Sequence, residues 1–187
     1  MTHLCIYADT DRTVLAHHMD QVSITQLLVK LGVEYAVWAT EAPLTRDATN
    51  EEVLVAYEDS IGRLMAHHGF QSADVVSLGP DHPDRAALRQ KFLSEHTHDD
   101  FEVRFFVHGH GLFYLHIGSR VYALMCDEGD LISVPARVPH WFDMGERPDF
   151  RCIRLFTTPE GWIANYTGSD IAKRYPDFDT FVADLSA

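Results

Sequence analysis

Cysteine is scarce: Cys5, Cys126 and Cys152 are the whole complement of a 187-residue chain. They lie far apart, form no CxxC pair and leave an odd count, which argues for a reducing compartment rather than a disulfide framework. Long apolar runs are missing too. No stretch approaches the roughly 18 uninterrupted apolar residues of a membrane-spanning helix. In the opening segment MTHLCIYADTDRT, Asp9, Asp11 and Arg12 stand where a signal peptide would carry its apolar core. The expectation is a cytoplasmic protein that does not span a membrane. Positive charge is in deficit, with 15 Lys plus Arg against 28 Asp plus Glu and a formal net charge of −13. That field repels phosphate polyanions and offers no basic stripe, so nucleic acid is not an expected partner.

What is present reads as one soluble, ordered domain. Apolar residues make up 46% and aromatics 11% of the chain, which is wrong for a disordered polymer and enough for a single core over residues 1–187 without disulfides. No internal repeat or linker is visible. The first third, to about residue 95, is mixed. A short apolar run LCIYA precedes Ile24, Leu27, Leu28 and Leu31 at helical spacing, closed by Gly32, and a strand VEYAVWA follows. Thr49 and Glu52 form a capping-box signature, and Val53, Tyr57, Ile61, Leu64 and Met65 mark one face of a single helix ending near Gly69. A further helix, PDRAALRQKFL, begins at Pro83.

From about residue 101 the texture changes to short aromatic and β-branched runs punctuated by Gly, Pro and Asp, FEVRFFV, GLFYLHI, RVYALMC, DLISV, HWFDM and FRCIRLF, and the barrel core is expected over about residues 96–160. Gly118-Ser119 between two of them is a two-residue hairpin turn, so neighbouring runs are expected to pair antiparallel in a barrel or sandwich. The tail, about 165–187, carries Phe178, Phe181, Val182 and Leu185 at helical spacing and reads as a C-terminal helix.

Within EHTHDDFEVRF, the residues His96, His98, Glu102 and Arg104 share one parity, so an extended chain points them to one face. With the later His140, after PARVP, the face offers three imidazoles and a carboxylate, a donor set that suits iron, nickel, cobalt or manganese as well as zinc. A chain with twelve histidines contains an HxH pair by chance, and His17, His18, His67, His68, His108, His110 and His116 read as solvated or core-bonded side chains. The joint pattern is more specific: HxHxxxE, Gly109 after six residues, then Gly129, Pro135 and His140. It resembles the two-part cupin signature. That likeness implies a mainly β fold, a double-stranded β-helix or jelly-roll barrel with the N-terminal helices packed outside. Gln90 and Arg137 stand where the cupin pattern places glycines, and Met144 where it places asparagine.

Within that superfamily KFLSEHTHDDFEVRFFVHGHGLFYLHI, then GDLISVPARVPHWFDM, IRLF and Trp162, closely resemble the acireductone dioxygenases of methionine salvage, with likeness extending over about residues 5–165. The resemblance implies one Fe²⁺ or Ni²⁺ per chain on His96, His98, Glu102 and His140. Two adjacent coordination positions would stay open for a chelating substrate, an enediol next to a ketone with a methylthioethyl tail. Arg104 and Arg154 are the charged residues expected near the substrate dianion, since a guanidinium keeps its proton and donates in a fixed fork. Phe92, Phe105, Phe142 and Trp162 are expected to wall a dry pocket for the thioether tail, although Phe105 has the parity opposite to Arg104. The partners implied are this small molecule and O₂, and the chain is expected to work as a monomer. Two other readings share the fold: a cupin oxygenase for thiols or aromatic rings, the former disfavoured by the glutamate, and a non-catalytic cupin that binds metal or ligand.

Overall fold

A computed structural model describes residues 1–40, 44–45, 47–158, 160–161 and 163–185. In chain order its elements are β1 (His3–Ala8), β2 (Val14–His18), α1 (Gln21–Lys30), β3 (Glu34–Val37), α2 (Asn50–Ala56), α3 (Glu58–His68), β4 (Ser72–Leu78) and α4 (Arg85–Leu93). There follow β5 (His96–Thr97), β6 (Glu102–Gly109), β7 (Gly111–Ile117), β8 (Arg120–Cys126), β9 (Asp130–Val134), β10 (His140–Asp143), β11 (Phe150–Phe156) and β12 (Asn165–Tyr166). A 3₁₀ turn (Ile171–Arg174) and α5 (Phe178–Leu185) close the chain.

The strands form two antiparallel sheets, one ordered β12-β5-β10-β7-β8-β1-β2 and the other β3-β9-β6-β11-β4. Their inner faces share one core in which Leu4, Phe106, Phe113, Leu115, Leu124, Ile132, Phe142 and Cys152 are buried. This is the cupin-type barrel. Each outer face is covered as well. Val103, Phe105, Val107, Ile153 and Leu155 pack against Val53 of α2, Ile61 and Leu64 of α3, and Tyr57 between the two helices. On the other side Leu112, Tyr114 and Trp141 pack against Tyr175, Phe178 and Phe181 of the C-terminal segment. Burial on both faces explains why FEVRFFV reads as nearly continuous apolar sequence instead of a clean alternation. It also fixes register: slipping β6 by one residue would turn Glu102 and Arg104 into the helix-facing core and Val103 and Phe105 inward.

Three upstream segments belong to the sheets and do not merely decorate them, because β1 pairs with β8, β3 with β9 and β4 with β11. The barrel therefore draws strands from well before residue 96. The single helix expected from Val53 to Met65 is two, broken at Tyr57, where the backbone turns to φ −112° and ψ 17°. Both halves keep their apolar side on the same cluster, so the periodicity runs through a break that neither Gly nor Pro marks. The helix expected from Pro83 starts at Arg85, with Asp84 as its cap residue. The Thr49–Glu52 capping box is formed in full, and Gly118, at φ 62°, makes the two-residue turn between Ile117 and Arg120.

Two positions of the cupin pattern show the backbone demand directly. Gly109 sits at φ +68°, and a Cβ there would collide with the carbonyl oxygen of Asp149, so only glycine fits. Arg137, where the pattern has glycine, is the one described non-glycine residue at positive φ, 66°. The turn keeps its shape despite the substitution, at a local cost of roughly 1–2 kcal/mol, and the Arg137 N–H donates to the carbonyl of His98 at 2.9 Å.

Candidate metal centre

His96 lies on β5 directly opposite His140 on β10, and Glu102 opens β6. His98 leaves β5 toward the same interior. All four side chains are buried, and one ligand atom from each can be chosen so that all lie within 4.8 Å of one another. Around one ion at about 2.1 Å from each donor, octahedral neighbours are roughly 3.0 Å apart and opposite donors roughly 4.2 Å apart, so the spread fits a shared cation.

The three imidazoles are oriented by the same device. Nδ1 of His96 faces the carbonyl of Ser94 at 2.7 Å, Nδ1 of His98 that of Ile163 at 2.8 Å, and Nδ1 of His140 that of Val138 at 2.8 Å. A carbonyl only accepts, so each Nδ1 carries its proton and each Nε2 is left with a lone pair for a cation. Glu102 divides its carboxylate: Oε1 accepts from Arg104 Nε at 2.6 Å, while Oε2 lies 2.6 Å from His140 Nε2 and 3.3 Å from His98 Nε2. Both Glu102 Oε2 and His140 Nε2 are buried without a hydrogen-bond partner. Orphaned polar atoms of this kind are rare in native interiors and point to a bound group.

The burial and charge around the four groups act on them differently. Burial, reinforced by His140, pushes His96 down to about 4, keeping it neutral. Burial also opposes charge on His98, but Glu102 outweighs it and the net shift is upward. Glu102 is held well below the usual carboxylate range, because Arg104 and His140 overcome its desolvation. The Arg104 guanidinium is boxed by the rings of Phe142, Phe113 and Phe92 at 4.9, 5.4 and 5.6 Å, and its Nη1 reaches Cys152 Sγ at 4.0 Å. Cation and ring quadrupoles attract in this dry setting.

The cluster opens into a cavity of about 810 Å³ that Arg104, Arg154, Phe92, Phe156 and Ile163 help to line. A larger cavity of about 1050 Å³ elsewhere contains none of the four groups, and chemistry rather than size selects the smaller one. Of the aromatic residues expected around the site, Phe92 lines the cavity and Phe142 stands behind it against Arg104. Phe105 does not join them. Its parity sends it to the outer face, where its ring meets Tyr57 at 5.4 Å and Trp38 at 5.5 Å. Trp162 lies outside the described residues. Arg154 does line the cavity, but it is paired with Asp74.

Sequence reasoning overlooked several neighbours. Phe113 lies opposite Phe142 on β7, a pairing visible only once register is known. Asp100 is buried and its carboxylate accepts from Phe101 N, Thr157 N, Thr157 Oγ1 and Thr158 N at 2.6–3.2 Å. It ties the loop that supplies the Ile163 carbonyl to the loop that carries His98. Tyr166 on β12 pairs with His96 and its ring lies 5.8 Å from that imidazole.

Three histidines and a glutamate converging inside a two-sheet antiparallel barrel define a cupin with a metal-type centre. The family model described as the ARD/ARD′ family matches residues 3–164, and the chain belongs to that family. Among its relatives, the acireductone dioxygenase of Aquifex aeolicus is 52% identical over 182 residues, covering 97% of this chain and 99% of the relative. That of Marinobacter nauticus is 57% identical over 161 residues, covering 86% of each. A solved structure of acireductone dioxygenase from Bacillus anthracis, with a cadmium ion in its active centre, superposes with a TM-score of 0.78. It is 31% identical to this chain and covers 89% of it and 98% of its own length.

Proposed function

We propose that the chain cleaves an acireductone, 1,2-dihydroxy-3-keto-5-methylthiopentene, with O₂ at one Fe²⁺ or Ni²⁺ held by His96, His98, Glu102 and His140, as a step of methionine salvage. The observation that carries the reading is the convergence of imidazoles with engaged Nδ1 atoms on the partnerless Glu102 Oε2. When bound, the ion supplies a Lewis acid and a template for a bidentate enediolate.

The chain's own residues do the rest. Carbonyls of Ser94, Ile163 and Val138 hold the Nδ1 protons and so fix which nitrogen faces the centre. Arg104 holds Glu102 by one oxygen and leaves the other turned inward. Arg104 and Arg154 give the cavity fixed positive charge for a dianionic substrate. Phe92 and Phe156 exclude water from the tail and strengthen those electrostatic contacts.

The reading also takes the chain to act as a cytoplasmic monomer on a small molecule, away from nucleic acid and membranes. Its formal charge of −13 and three buried free cysteines support this. Among the described residues no helix is long and apolar enough to cross a membrane.

The test is elemental analysis of the purified protein, followed by anaerobic loading with each ion, O₂ uptake and product analysis. About one ion per chain is expected. Iron should give 2-keto-4-methylthiobutyrate and formate, and nickel should give methylthiobutyrate, formate and carbon monoxide. A protein that is metal-free as isolated and stays inactive after loading with either ion overturns the reading.

A further inference from the structure

Two arginines stand side by side on the inner face of the five-stranded sheet. Arg104 on β6 is directly opposite Arg154 on β11, and Asp74 on β4 is directly opposite Arg154 on its other side. Like charges on directly opposed strand positions repel, so this row needs something to hold it. Arg104 cannot yield, being buried, bonded to Glu102 and enclosed by three rings. Arg154 can, because its side chain keeps 20% of its surface exposed.

Asp74 opposes that freedom. Arg154 Nε donates to Asp74 Oδ1 at 2.8 Å and Nη2 donates to Oδ2 at 2.6 Å, a two-bonded fork on one carboxylate. The guanidinium also lies 5.2 Å from the centre of the Phe156 ring, two residues along the same strand. These contacts engage Nε and Nη2 and leave Nη1 without a partner among the described residues. Arg154 lines the cavity onto which His96, His98 and Glu102 open, whereas Asp74, with 48% of its side chain exposed, stands outside it. An ion pair this exposed adds little to stability. What a bidentate pair does fix is orientation.

We infer that Asp74 is a positioning residue: it holds the Arg154 guanidinium in the cavity wall, against repulsion from Arg104, with Nη1 presented to the anionic substrate. The inference rests on the acireductone reading, and extends it to a residue that touches neither substrate nor metal.

The experiment compares the iron-loaded parent enzyme with Asp74→Asn, Asp74→Glu, Arg154→Met and the double variant Asp74→Asn/Arg154→Met. Asp74→Asn should raise KM about tenfold and reduce kcat far less, the pattern of lost binding common to ground and transition states. Metal content should be unchanged and the melting temperature should move by less than about 2 °C, as for an exposed pair. Asp74→Glu keeps the carboxylate and should recover most of the KM. In the Arg154→Met background Asp74→Asn should add nothing, because both act through one group.

A second measurement does not depend on turnover. The ¹⁵N Nε–H resonance of Arg154, recorded on proteins loaded with diamagnetic Zn²⁺ and assigned by its loss in Arg154→Met, should be sharp in the parent and exchange-broadened in Asp74→Asn. A KM that Arg154→Met raises but Asp74→Asn does not, or effects that add in the double variant, overturns the inference. So does an unchanged resonance. If Arg154→Met leaves KM unaltered, the assigned contact between Arg154 and substrate fails, and the positioning role with it. If the parent enzyme shows no turnover, the acireductone reading fails, and the resonance still decides whether Asp74 orients Arg154.

Discussion

Filling the centre with its ion should raise the melting temperature by a large, calculable amount. Glu102 Oε2 and His140 Nε2 are buried 2.6 Å apart without a hydrogen bond, and an unsatisfied buried group costs about 1–3 kcal/mol, more when charged. A cation that binds only the folded chain removes that penalty and stabilises by mass action, by about 4 kcal/mol at a thousandfold excess over its dissociation constant. For a chain of 187 residues each kcal/mol moves the midpoint by about 2–4 °C, so a shift of roughly 8–16 °C is expected. Binding of the ion to histidines of the unfolded chain would trim this figure. The assay is calorimetry of chelator-stripped protein with and without saturating Ni²⁺. His98→Ala should retain less than about a quarter of the shift, since it removes a donor whose orientation is fixed by the Ile163 carbonyl. His67→Ala should retain all of it, because His67 is exposed at the end of α3. A parent shift below about 2 °C, or equal shifts in His98→Ala and the parent, would refute the reasoning.

Arg104→Lys keeps the charge beside Glu102 but loses the fork and the flat stacking surface. Metal content is expected to survive while turnover falls about ten- to a thousandfold, measured on preparations of verified metal content; unchanged turnover would leave Arg104 a structural ion-pair partner only. Arg137→Gly should be neutral or stabilising by up to about 1 kcal/mol in thermal unfolding. It relieves the positive φ of 66° but adds glycine's unfolded-state entropy, and a clear loss of stability would show that the Arg137 side chain contributes more than its backbone strain removes.

Much of the barrel was legible because its strands coincide with runs bounded by turn residues: GLFYLHI, RVYALMC, DLISV and FRCIRLF are β7, β8, β9 and β11 end to end. The less legible strands have physical reasons. β2, VLAHH, is a sheet edge that buries only part of its surface, so nothing selects for alternation. β4, SADVVSL, carries a polar residue on each face, Asp74 paired with Arg154 and Ser77 paired with Arg151, which dilutes its apolar signal. The break at Tyr57 left no trace either, since its buried ring serves the same cluster from either helix.

For the site, parity worked within β6, where Glu102 and Arg104 share the inner face and the odd parity of Phe105 sends it to Tyr57 instead of the cavity. It did not work across the bend at residues 99–100: His96 on β5 and Glu102 on β6 belong to different sheets and converge because the two sheets face each other. Parity could not supply partners across strands, which is why Phe113, Asp74 and Asp100 went unnoticed. Glu102 serves two neighbours with its two oxygens: Oε1 is tied to Arg104, and Oε2 faces the histidines. The side chain that neutralises the carboxylate is therefore also the one that gives the cavity its buried positive charge. Removing the guanidinium altogether would leave a buried carboxylate without its counter-charge, raise its proton affinity and weaken its hold on a cation. Lysine at position 104 retains that counter-charge, so a loss of turnover at constant metal content separates the proposed contact of the fork with substrate from its support of Glu102.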